Sequence, residues 1–405
     1  MAGFAMIPAC AWNRCGEQGY GSIDEILKKA AVNREVPGVA AVAANDGGVI
    51  YKAFYGLRDL SKEAKITPNT VFWFASMTKG IAATAVMQLV EQGKLELDSP
   101  IGKIVPDLAN PQVLEGFSAD GEPLLRPAKR PITLRQLLAH TSGLGYTFCS
   151  GKTLKYAVKK GVPRNQGDLN YYRLPLLFDP GEGWQYGVGI DWAGRAVEIA
   201  SGLRLNEYIK QNIFTPLGMN DTGFDLTPEQ QAQLAVVHAR QPDGTLKPIP
   251  FLWPQKPAFY SGGGGLYGTP LDYLTFLQML LHDGQFNGVK ILRPETVRLM
   301  KQNHIGNLQA GQLKAAIPSF SNDLDFWPGM PQRWGLSFLI NMEQTPQGRS
   351  AGSITWAGLG NCYYWVDSIK RVCGVILTQI FPFADKTVLN LFSQFEAGIY
   401  RGLGV

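Results

Sequence analysis

T-V-F-W-F-A-S-M-T-K-G-I-A-A-T-A-V-M-Q-L-V-E-Q-G, residues Thr70 to Gly93, is the stretch around which the rest of the chain is organised. It opens on a β-branched and aromatic run, Val71 to Phe74, and then changes to helical periodicity. Ser76 and Lys79 stand at the change. Three residues make nearly one helical turn, so on a helix the two side chains share a face. Ala83, Val86, Met87 and Val90 fall on that face, while Thr84, Gln88 and Glu91 cluster elsewhere. The pattern therefore puts the serine and lysine at the head of an inward, apolar face, with Gly93 as the helix stop. A serine hydroxyl is a weak nucleophile that needs a base within hydrogen-bond reach. A lysine serves as that base only when burial lowers its pKa. S-x-x-K by itself also describes a helix-capping serine followed by an ordinary lysine, so the reading rests on the rest of the chain.

The chain of 405 residues exceeds the usual size of a single core and predicts one large domain or two intimately packed ones. A net charge of +5 without a basic run longer than Lys159-Lys160 lacks the clustered stripe that nucleic-acid binding needs. Five cysteines, at 10, 15, 149, 362 and 373, are an odd number without C-x-x-C spacing, which fits free thiols in a reducing compartment. The four histidines are far apart, and neither a metal nor a cofactor is expected. Residues 2–12 are mildly apolar but lack a preceding positive charge and contain Pro8, so they make a poor secretory signal. The longest apolar helical run, near 80–90, is too short to span a bilayer. A soluble, cytoplasmic protein acting on a small-molecule ester, its oligomeric state open, is the expectation.

Upstream, residues 23–35 predict an amphipathic helix ending near Pro37-Gly38. Val39–Ala44 and Val49–Tyr55 then read as strands joined at Asn45-Asp46-Gly47-Gly48, a hairpin signal. Downstream of about 94 come short helices punctuated by Pro and Gly: Thr133–His140, 191–200 and 205–213. The passage Ser261-Gly262-Gly263-Gly264-Gly265 follows, then a helix at 271–282, and after Trp334 candidate strands at 334–341, 352–357, 361–367 and 372–379 with a last helix at 386–400. Without β-α-β alternation, the fold class is α/β of the α+β type: an antiparallel sheet flanked by helices, with an inserted mainly helical region. The expected division is an α/β domain of residues 21–95 and 236–405 and a helical domain of 96–235.

Three other motifs compete with Ser76. Gly348-Arg349-Ser350-Ala351-Gly352 matches G-x-S-x-G, but a nucleophile elbow needs a strand before it and a helix after it, and this context reads as a hairpin turn. The run from Gly145 to Gly151-Lys152-Thr153 resembles a P-loop with one residue too many. The four glycines at 262–265 read as close backbone packing.

Further motifs in order support Ser76. Pro180-Gly181-Glu182-Gly183-Trp184-Gln185-Tyr186-Gly187 sets a tyrosine in a Pro/Gly-fixed loop, and Ser353-Ile354-Thr355-Trp356-Ala357-Gly358 sets a glycine at a strand end. With S-x-T-K and His140-Thr141-Ser142-Gly143-Leu144, this set resembles the serine β-lactamase and penicillin-binding superfamily. It is most similar to the branch with class C β-lactamases, family VIII carboxylesterases and the fungal statin side-chain acyltransferase, over about residues 22–400. The resemblance implies that Ser76 is the acylated nucleophile, Lys79 the lysine that helps deprotonate it, and Tyr186 the tyrosine that shuttles the proton. Trp356-Ala357-Gly358 falls where β-lactamases carry K-T-G, and the implied oxyanion donors are the backbone N–H groups of Ser76 and Leu359. Val188 stands where that family has the amide of Y-x-N, and Trp356 where it has the K-T-G lysine, so polar recognition of an anionic antibiotic is missing. W-x-G resembles the family VIII esterases, with Trp356 then expected as an apolar plane beside a neutral ester. A serine carboxylesterase for short-chain esters is the reading, an acyltransferase or a weak class C-like β-lactamase the alternatives. His140 is expected to be structural, bonding its own turn. Trp73, Tyr146, Trp184, Tyr260, Tyr363, Tyr364 and Trp365 are expected in the core or lining an acyl pocket.

Overall fold

The computed structural model describes residues 20–404; the apolar segment at 2–12, Cys10 and Cys15 lie outside them. The run Gly38–Asn45 is almost continuously small and apolar, and it forms a central strand whose residues up to Ala44 are all buried. Such a strand has both faces covered. It pairs antiparallel with Gly48–Asp59 through the expected hairpin, where Asn45 Oδ1 accepts the Gly47 N–H at 2.8 Å. On its other edge it pairs with Val372–Leu377. Successive antiparallel pairings extend the sheet through Cys362–Asp367, Ile354–Gly358 and Leu339–Asn341 to Gln332–Trp334. Ala64–Lys65 closes the far edge of this eight-stranded sheet. Every strand of it comes from residues 38–65 or 332–377, so both ends of the chain build one antiparallel sheet.

Side-chain alternation assigns the faces. Tyr364 meets Tyr273 of helix Pro270–Leu281, whereas its neighbour Trp365 packs on Phe395 of helix Lys386–Gly402. The first helix, Gly21–Val32, packs beside the last one, and its Asp24 accepts from Tyr51 at 2.8 Å. Residues 96–235 add short helices, among them Leu134–Leu138, opened by a Thr133–Gln136 capping box, and Gly189–Ser201. Among the described residues no helix is long and apolar enough to cross a membrane.

Four expectations are corrected. The helix after Ser76, Thr78–Glu91, has no wet face along most of its length: Thr78 to Leu89 are all buried. Its polar residues find partners inside: Thr84 donates to the Gly80 carbonyl at 2.9 Å, and Gln88 donates through Nε2 to those of Asn212 and Ile291. The stretch 334–341 is not one strand but the end of Gln332–Trp334, a reversal closed by Gly335 N–H on the Phe338 carbonyl at 2.8 Å, and then Leu339–Asn341. The last sheet strand stops at Leu377, and Ile380–Phe381 leaves to pair parallel with His238–Arg240. Finally, the helical region holds an unforeseen hairpin, Gln112–Phe117 with Pro123–Pro127; its prolines sit at the ends of the second strand, where a lost N–H is tolerated.

Candidate active site

The Val71–Phe74 run forms only a two-residue strand, Phe72–Trp73, paired with Tyr267–Gly268. The chain then turns at Ala75, whose φ of +47° costs an L-residue about 1–2 kcal/mol, and passes through one 3₁₀ turn carrying Ser76 into helix Thr78–Glu91. This turn leaves Ser76 half-buried on the wall of a cavity while Lys79, one turn on, is fully buried. Lys79 Nζ lies 3.1 Å from Ser76 Oγ and donates to the Gly263 carbonyl at 2.6 Å. It also stands 4.9 Å from the ring centres of both Tyr146 and Tyr186. Burial among these groups brings its pKa down to about 7, against a smaller upward pull from Asp191.

Tyr186 reaches the same place from the Pro/Gly loop. A Cβ on Gly187 would overlap the Leu144 carbonyl, so only glycine lets this loop lie against the 140–145 turn. Gln185 N–H on the His140 carbonyl at 2.9 Å and Gly181 N–H on that of Thr141 at 2.7 Å tie the two together. Burial pushes the Tyr186 phenol up, while hydrogen bonding to Ser76 and Trp356 works the other way. His140 is buried and does not bond its own turn: its Nδ1 faces the Gly187 N–H at 3.4 Å and its ring sits 4.8 Å from that of Tyr186. Desolvation holds it well below the usual histidine range, so it supports the tyrosine loop as a neutral ring.

The glycine at the end of strand Ile354–Gly358 is needed for the same kind of reason, since a Cβ on Gly358 would overlap the Phe74 carbonyl. The approach brings Leu359 to the cavity wall with Ser76. Trp356 is placed differently from expectation. It does not line the cavity; it is buried behind Tyr186, donating its Nε1–H to the tyrosine oxygen at 3.2 Å and packing on Trp334. Side chains alternate along a strand, and this one faces the core. Val188 is likewise buried, next to the start of helix Gly189–Ser201.

The cavity measures about 700 Å³ and is mostly apolar, with Trp73, Tyr146, Phe148, Phe251, Trp253 and Phe320 on its walls. Of the aromatic residues singled out by sequence, only Trp73 and Tyr146 face it; Trp184, Tyr260, Tyr363, Tyr364 and Trp365 pack elsewhere. The rival motifs fall away from Ser76. Ser350 lies in a turn between two strands with its N–H on Asp367 at 2.8 Å, and Ser150 caps the helix Gly151–Lys159. The glycine run packs closely and also holds Lys79 through Gly263. Sequence reasoning missed Asp191. It is fully buried and lines the cavity, accepting from Tyr146 Oη at 2.9 Å, Gly263 N–H at 2.9 Å and the Ser261 hydroxyl.

A family model described as beta-lactamase matches residues 23–398. The chain belongs to the β-lactamase family. It is an enzyme of the serine hydrolase type on this fold. It is 33% identical over 394 residues to the lovastatin esterase of Penicillium rubens, covering 92% of this chain and 96% of that one. It is 31% identical over 399 residues to the monacolin J acid methylbutanoyltransferase of Aspergillus terreus, covering 93% and 95%. The solved structure of a simvastatin synthase mutant, LovD6, from Aspergillus terreus superposes with a TM-score of 0.83 at 30% identity, covering 96% of this chain and 98% of that one.

Proposed function

We propose that this protein is a carboxylesterase that cleaves short-chain esters of bulky, apolar alcohols through an acyl-enzyme on Ser76. The observation that carries the reading is the 3.1 Å approach of Lys79 Nζ to Ser76 Oγ at the wall of a 700 Å³ apolar cavity. Neutral Lys79 takes the Ser76 proton as the oxygen attacks the ester carbonyl. The negative charge that develops on the carbonyl oxygen is received by the N–H groups of Ser76 and Leu359, each donor being worth about 3–4 kcal/mol. The alkoxide leaves with a proton delivered through Tyr186, whose oxygen already accepts from Trp356 and so directs its own O–H toward the reacting groups. Water then attacks the acyl-enzyme, with Tyr186 and Lys79 taking its proton, and Ser76 is restored.

Two relatives support an ester of this kind by their names: one is an esterase of lovastatin, the other a methylbutanoyltransferase of monacolin J acid. Similarity to the transferase favours a second reading, in which an alcohol held in the apolar cavity replaces water as acceptor. The test is turnover of nitrophenyl esters from acetate to octanoate, with and without added alcohol, together with mass spectrometry after phosphonate labelling. A phosphonate adduct on the Ser76 peptide and a preference for short chains support the proposal. Labelling elsewhere, or an active Ser76→Ala variant, refutes it.

A further inference from the structure

Asp191 is used by no step above, yet the fold spends a great deal on it. Its carboxylate is fully buried, and three donors from two separate segments converge on it: Tyr146 Oη from one, and the Ser261 hydroxyl and the Gly263 N–H from the other. A carboxylate in such a place is costly unless its charge is used or paired. The same residue, Gly263, donates its N–H to Asp191 at 2.9 Å and offers its carbonyl to Lys79 Nζ at 2.6 Å. A Cβ on Gly263 would lie 2.5 Å from both Asp191 Oδ2 and Tyr146 Oη, so the linkage excludes any larger residue. Lys79 is thus faced by Asp191 and Tyr146, by Tyr186, and more remotely by Cys149 and His140. Cys149 and Tyr146 are neutral at pH 7, their protons held on by burial, and His140 is neutral because burial disfavours its charged form.

We infer that Asp191 is the positioning residue of this active site: through Gly263 it fixes the lysine amine against Ser76, and its charge balances the ammonium that forms when Lys79 takes the serine proton. This rests on the assignment of Ser76 and Lys79 proposed above. The transfer conserves charge within the site. The proton leaves Ser76 Oγ for Lys79 Nζ, the new positive charge is stabilised across Gly263 by the carboxylate, and the new Oγ–C bond carries the negative charge to the carbonyl oxygen. Burial holds the Asp191 pKa above its ordinary value, and Lys79, the two hydroxyls and the Gly263 N–H oppose that rise in favour of the anion.

The experiment compares pH profiles of kcat/KM for a neutral nitrophenyl butyrate. Asp191→Asn keeps the size and an acceptor for Gly263 but removes the charge. The acid-limb midpoint should fall by about one pH unit, and the plateau by about tenfold. Tyr146→Phe keeps the charge and removes one donor to it, so its midpoint should move the opposite way, upward. Unchanged midpoints, or shifts in the same direction, overturn the inference and leave Asp191 a structural residue. Should Asp191→Asn fail to fold by thermal unfolding, an upward shift in Tyr146→Phe alone supports the inference and its absence overturns it. Failure of the underlying assignment reads out separately, as wild-type enzyme that phosphonate labels away from Ser76.

Discussion

Lys79 carries the sharpest consequence at the scale of single residues. Its pKa of about 7 lies below the ordinary 10.5, so on acidification through that value the amine gains a proton and can no longer accept one from Ser76. The sign is therefore fixed: kcat/KM for a neutral ester should rise with pH through a midpoint near 7 and level off above it. A profile flat from pH 5 to 9 would show that another group is the base. Lys79→Arg, which keeps charge and reach but cannot lose its proton, should be slower by about 10²–10⁴-fold at every pH tested. Tyr186→Phe should also depress turnover. Combined with Lys79→Ala it should cost far less than the product of the two single losses, because groups on one proton path act as a unit. Strict multiplicativity in that double variant would separate their roles. The convergence of Ser76, Lys79 and Tyr186 was legible in sequence because each sits in a motif with fixed spacing. Asp191 was not, since one aspartate on an apolar helix announces nothing until its partners at 146, 261 and 263 are brought together by the fold.

At the scale of elements, glycines decide how the catalytic segments approach one another. Gly187→Ala should shift the Tyr186 loop off the 140–145 turn, because its Cβ has no room against backbone, which cannot swing aside as a side chain would. Overpacking of this kind costs typically about 1–3 kcal/mol, and turnover should fall with the lowered Tm. Gly151→Ala, in the first turn of helix Gly151–Lys159 with open space around it, is the control and should be neutral or slightly stabilising. Equal losses of Tm in both would show that the clash with the Leu144 carbonyl is not the cause. The hairpin at 38–59 and the strands near 362–377 were readable because β-branched and small apolar runs are bounded by turn residues. The break inside 334–341 was hidden, since Leu336 and Phe338 continue the apolar pattern through the reversal and stay buried. The helix after Ser76 misled in the other direction: periodicity assigned Thr84 and Gln88 to solvent, but both are buried, Thr84 donating to Gly80 of its own helix and Gln88 to the carbonyls of the distant Asn212 and Ile291.

For the whole molecule, the fold is that of the β-lactamase family, but the two motif positions expected to grip a β-lactam carboxylate carry apolar side chains. Val188 and Trp356, which stand where the motif resemblance implies an amide and a lysine, are both buried away from the cavity. A charged hydrogen bond to a ligand carboxylate is worth about 1.5–3 kcal/mol, so its loss costs roughly one to two decades in specificity. Nitrophenyl butyrate should accordingly exceed a chromogenic cephalosporin in kcat/KM by at least that margin. The placement of Trp356 sharpens the expectation for Trp356→Lys. A lysine there would point into the core beside Tyr186 and not toward a bound ligand, removing the Nε1–H donor at 3.2 Å and burying a cation near the reacting groups. Ester turnover should therefore fall while cephalosporin turnover fails to rise. Trp356→Phe, which removes the donor together with part of the packed indole, should lose at least about fivefold in ester turnover, the worth of one hydrogen bond of about 1 kcal/mol. A gain of cephalosporin turnover in Trp356→Lys would mean that residue 356 faces the ligand, and the cavity wall would have to be redrawn through it.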